Sequence, residues 1–80
     1  DLTIKKTLIM ISKLLLALFD FINEYRIYEA KRLLGNPDKT ELTILEILYQ
    51  VGFNSKSSFY TAFKKITGKT PTLFRKERLE

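Results

Sequence analysis

The residues best equipped for chemistry sit close together. Lys56, Ser57, Tyr60, Thr61, Lys64 and Lys65 bring amines and hydroxyls onto a short stretch that contains no acid. Such groups hydrogen-bond to base edges and to phosphate oxygens. At about 100° per residue, Ser57, Tyr60, Thr61 and Lys64 share one face of a helix, with Lys65 at its edge and Lys56 near its start. Phe59, Ala62, Phe63 and Ile66 fall opposite, and an apolar stripe of that kind is the buried side. The expected chemistry is recognition of a polyanion.

Other chemistry is missing from the composition. With no histidine and no cysteine, the usual zinc sites and the Ser-His and Cys-His pairs are excluded. Asp38, Glu41 and Glu46 are scattered, without the spacing of a paired acid and base. Gly68-Lys69-Thr70 would end a phosphate-binding loop only with a glycine where Phe63 stands and a strand before it. The expectation is a non-enzyme with no cofactor and no metal.

The elements that must hold the polar face are legible around it. Thr43 stands three residues before Glu46, the spacing of a capping box, and Ile44, Ile47, Leu48 and Val51 follow at helical intervals. Gly52 suits a tight turn, Phe53 gives it an apolar plug, and Asn54 is positioned to cap the next helix. That helix is expected from Asn54 to Thr67, with Gly68 ending it. Thr70-Pro71, a cap followed by proline at the first helical position, starts a third. Helix, glycine turn, helix is the helix-turn-helix pattern.

Charge is segregated along the chain. Residues 1–52 hold equal numbers of basic and acidic side chains, so the net +5 resides in residues 53–80. No acid lies between Glu46 and Glu77. A solvated surface usually mixes signs, whereas a segregated basic one marks a polyanion partner.

These residues resemble a known family. Gly52-Phe53, Asn54, Ser57 with Phe59, Phe63-Lys64-Lys65, Gly68, Thr70-Pro71 and Phe74-Arg75 are similar to the second helix-turn-helix of the AraC/XylS transcription regulators. Phe21 to Leu34 resembles the long helix that joins that family's two motifs. The resemblance runs from Phe21 to Lys76. It implies an all-α fold, a small helical domain of the homeodomain-like or AraC type with a long linker helix before the helix-turn-helix. It also implies binding to double-stranded promoter DNA with a recognition helix in the major groove, RNA polymerase as a further partner, and a bacterial cytoplasmic location. By resemblance Lys56, Ser57, Tyr60 and Thr61 occupy or adjoin base-reading positions. Thr43, Lys64, Lys65, Lys69 and Arg75 are expected at phosphates, Thr43 through the free N–H groups of its helix start. Neutralising about four to six phosphates would give a log–log salt slope of roughly −4 to −5. Leu48 departs from the family, which usually carries a small alanine there, and is expected to widen the crossing of the two helices.

The first third fits less well. Residues 1–34 contain neither glycine nor proline, and Ile4, Leu8, Ile11, Leu15, Leu18 and Ile22 recur at helical spacing. Residues 1–20 read as a remnant or incomplete first helix-turn-helix, 21–34 as the linker helix and 43–79 as the second motif. Ile11 to Phe19 resembles a first recognition helix. However, Leu14, Leu16, Ala17 and Leu18 fill its DNA-reading positions, and the glycine turn expected before Phe21 is absent. Either the first motif is degenerate and serves packing or self-association, or intervening loops are missing from the sequence; the second is the working expectation. Leu8 to Phe19 is expected to form a buried core helix, since a spanning helix needs about 20 apolar residues and Lys6, Lys13 and Asp20 interrupt this run.

Phe21, Tyr25 and Tyr28 make one stripe of the next stretch and Ile27, Ala30 and Leu34 another, so packing is expected on two sides. Gly35-Asn36-Pro37-Asp38 is expected to stop the helix. Starting at Asp1 rather than Met, the chain reads as a fragment of a longer protein, and its early apolar stretch lacks a signal-peptide cleavage site. Eighty residues suffice for one small domain of modest stability. A helical interaction module that has lost DNA binding is the alternative function, and an amphipathic membrane-surface segment is a weaker rival.

Overall fold

Asp1 opens the first helix, its carboxylate accepting from the Thr3 amide at 3.2 Å. Nothing in the next residues can break it. In the computed structural model, which describes residues 1–80, α1 spans Leu2–Leu34, 33 residues, or about 50 Å at 1.5 Å per residue. It passes from residue 20 to 21 without interruption. Gly35 caps it, donating to the Lys31 carbonyl at 3.0 Å. The Asn36 side chain accepts from the Asp38 amide at 2.9 Å, starting a single 3₁₀ turn over Pro37–Lys39.

Three short helices follow: α2 over Ile44–Gln50, α3 over Lys56–Thr67 and α4 over Pro71–Leu79. The fold is all-helical. Thr43 caps α2 by accepting from the Glu46 amide at 3.1 Å, but Glu46 returns no bond, so the box is half made. The Phe53 amide donates back to the Leu48 carbonyl at 2.9 Å, closing the turn between α2 and α3. One boundary differs from expectation. The cap of α3 is Ser55, not Asn54, and its hydroxyl accepts from the Ser58 amide at 3.1 Å. Both residues are of capping type, and Asn54 stands one residue too early to reach that amide. Gly68 ends α3 with φ of 79°, and Thr70 caps α4 with Pro71 at its first turn.

The core gathers at one end of α1. Ile27, Ala30, Leu33 and Leu34 meet Ile47 and Leu48 of α2, Phe53 of the turn, Phe59 and Phe63 of α3, and Phe74 of α4. The aromatics form a chain: Phe53 to Phe59 at 5.3 Å, Phe59 to Phe63 at 5.6 Å, and Phe63 to Phe74 at 5.5 Å between ring centres. Such pairs add about 0.5–1.5 kcal/mol each beyond burial. Leu48 is fully enclosed. Ile66, expected inside, is 42 % exposed and lines the open cleft between α3 and α1.

The larger correction concerns Leu8 to Phe19. This run is not a core helix: every residue from Asp1 to Phe21 is exposed. The three helices after α1 are short and cover only its C-terminal end, so no layer reaches the rest. Phe21, Tyr25 and Tyr28 likewise face solvent, while the Ile27, Ala30 and Leu34 stripe packs. The molecule measures 57 × 21 × 17 Å, an arm projecting from a small body. No helix is long and apolar enough to cross a membrane.

Candidate nucleic-acid interface

Phe59 and Phe63 decide how α3 sits. Both have no exposed surface, so the opposite side of the helix is turned outward. Ser57, Thr61, Lys64 and Lys65 are all exposed there. Lys56 begins the helix and leans its amine over the Tyr60 ring at 5.4 Å. Tyr60 is half-buried, packed beside the core, with its hydroxyl 3.3 Å from that of Thr72. It lines a cleft with Ile44, Leu45, Leu48 and Arg75. The structure thus brings Ser57, Thr61, Lys64 and Lys65 together as a free ridge, and sets Lys56 and Tyr60 on its flank against α2 and α4.

The five residues expected at phosphates divide. Lys64 and Lys65 are exposed and make no ion pair. Lys69 is paired with Glu77 of α4, an exposed pairing that competes weakly with another anion. The Thr43 hydroxyl is engaged in capping α2. Arg75 has partners within the chain. Its guanidinium donates to the Leu42 carbonyl and, at 2.9 Å, to that of Lys39, bracing α4 against the loop after α1. A guanidinium fork meets closely spaced carbonyls with several donors at once, and the turn before α2 offers them.

Two residues that sequence reasoning did not select complete the site. Asp20 and Glu24 of α1, with Asn23, line a cleft of about 460 Å³ whose other wall includes Ser57, Thr61 and Lys65. The surface around α3 is therefore free of carboxylates along the chain but not in space. The signal was the unbroken helix itself: with no turn before Phe21, α1 carries its acids past the start of α3. Arg26, one turn further, lies over the Phe53 ring at 5.6 Å and against the turn. Arg32 donates to Glu29 at 2.9 Å, and this hydrogen bond and its charge raise the guanidinium pKa, so Arg32 is already partnered.

Such an arrangement suits binding: donors and acceptors along the outer side of α3, three of them (Ser57, Thr61 and Lys65) lining an open cleft with α1, with no cluster able to hold a metal. The model of a helix-turn-helix domain family matches residues 10–77. The Msm operon regulatory protein of Streptococcus mutans is 40% identical over 62 residues, covering 78% of this chain and 21% of that protein. The melibiose operon regulatory protein of Escherichia coli is 38% identical over 61 residues, 76% of this chain and 19% of that protein. An uncharacterised helix-turn-helix-type transcriptional regulator of Bacillus subtilis is 38% identical over 56 residues, 70% of this chain and 18% of its own length. The chain spans about a fifth of the length of these relatives. No solved structure matches it significantly.

Proposed function

This chain belongs to the AraC/XylS type of helix-turn-helix DNA-binding transcription regulators, and from that membership we propose that α3 enters the major groove of promoter DNA and reads it through Ser57 and Thr61. The observation that carries this reading is the outward ridge of Ser57, Thr61, Lys64 and Lys65, held there by the full burial of Phe59 and Phe63 behind it. Hydroxyls at Ser57 and Thr61 meet base edges, and the Thr61 methyl meets that of thymine. Lys56, at the helix start, reaches guanine O6 or N7; Tyr60 shapes the flank and contacts bases through its ring edge. Lys64 and Lys65 bind phosphates. Lys69 contributes after parting from Glu77, and Arg75 and Thr43 act by holding α4 and α2 in place.

With Lys64, Lys65 and, once parted from Glu77, Lys69 at phosphates, about three neutralised phosphates give a log–log salt slope near −3. The relatives named for operons support a promoter as the target, and a bacterial cytoplasm as the place where it is met. RNA polymerase is the further partner that regulation from a promoter calls for. The test is fluorescence anisotropy on duplexes selected from a random library. Thr61→Ala and Ser57→Ala shift the preference between selected and random duplex, whereas Lys64→Ala weakens both alike by roughly the loss of one unit of slope. Equal losses on both duplexes for Thr61→Ala, or a flat salt response, overturn the reading.

A further inference from the structure

At about 100° per residue, Lys5, Lys6 and Lys13 share one side of α1 with Asp20, Asn23 and Glu24. The last three line the cleft with α3, so the lysines lie on that same side of the arm, further out. All three are exposed and make no ion pair. No acid stands between Asp1 and Asp20. Ile9 and Leu16 lie among the lysines, exposed and uncharged, while Ile4, Ile11 and Leu18 are turned to the opposite side.

We propose that this side of the arm is a second contact with the DNA backbone, its lysines neutralising phosphates beyond those that α3 reaches. The contact rests on the proposed placement of α3 in the groove and adds to it. Thr61 belongs both to the outward ridge and to the cleft. A duplex docked on the ridge therefore lies along the open side of the cleft, next to the arm. Asp20 and Glu24 stand at the root of the arm, level with α3. Lys13 is about 10 Å further along and Lys6 about 21 Å. With a major groove about 12 Å wide, the strand flanking α3 begins roughly 6 Å to its side and continues over the stretch where the arm has turned basic. Amines on flexible stems meet phosphates as point charges, without a fixed geometry, as a straight helix beside a winding backbone requires. Contacts of this kind carry no sequence information, so they strengthen binding to every duplex alike.

Anisotropy titrations of the whole chain on random duplex, repeated across salt concentrations, test this. Lys64, Lys65 and Lys69 alone give a slope of about −3, and each arm lysine on a phosphate adds about −0.9, so the parent chain is expected at roughly −5 to −6. Lys5→Gln, Lys6→Gln and Lys13→Gln together are expected to return it to about −3. Helix content by circular dichroism is expected to stay unchanged, since none of the three touches the body. Adding Ile4→Lys, Ile11→Lys and Leu18→Lys restores the net charge on the opposite side of the arm, and the slope is expected to remain at about −3. A parent slope of about −3, or full recovery by lysines on the opposite side, overturns the arm contact and leaves the placement of α3 standing. A flat response of the parent chain overturns both.

Discussion

At the scale of single residues, the acids of α1 matter as much as the lysines of α3. Asp20 and Glu24 face the cleft that Ser57, Thr61 and Lys65 share, so an incoming phosphate feels both signs. Asp20→Asn with Glu24→Gln is expected to tighten binding to random duplex, roughly 3- to 10-fold at low salt and less at physiological salt, where charges are screened beyond about 8 Å. Anisotropy titrations at two salt concentrations measure this, and weaker binding would show that the carboxylates serve the interface. The sequence revealed the ridge because residues on one helix face are close in number. It hid the acids because they stand more than thirty positions earlier, and their approach depends on α1 running straight. The partners of Arg75 were hidden for a related reason: a basic side chain in a basic segment looks free until the carbonyls of Leu42 and Lys39 are seen beneath it.

At the scale of elements, the two glycines with positive φ separate backbone demand from contact. Gly52 has φ of +107°, and a Cβ there would approach Arg26 Nε to 3.0 Å; Gly68 has φ of +79° and open space around it. Gly68→Ala is expected to cost about 1–2 kcal/mol from conformation alone. Gly52→Ala is expected to cost about 1–3 kcal/mol, with the displaced Arg26 included. Urea denaturation of both, each combined with Arg26→Ala, tells the contributions apart: part of the loss is recovered at Gly52 and none at Gly68. Turn glycines, Thr70-Pro71 and the Phe59–Phe63 stripe made α2, α3 and α4 readable from residue type. The start of α3 shifted because Asn54 and Ser55 are both good caps, and only the geometry of the turn decides between them.

At the scale of the whole molecule, the shape of 57 × 21 × 17 Å joins a body built on ten buried apolar side chains to an arm that contributes none. Periodicity announced a helix in residues 1–34 but not which of its faces would find cover, since burial depends on how much other chain is present to pack. One consequence of α1 follows from its being a single element with two very different settings. Amide hydrogens around Ile27 to Leu34 are locked by the body, while those from Lys5 to Phe19 are held only by their own turns. Deuterium uptake monitored by mass spectrometry is expected to be fast in the arm of the dilute chain and slow beyond Arg26. The same helix thus reports, along its length, where the protection given by the body begins.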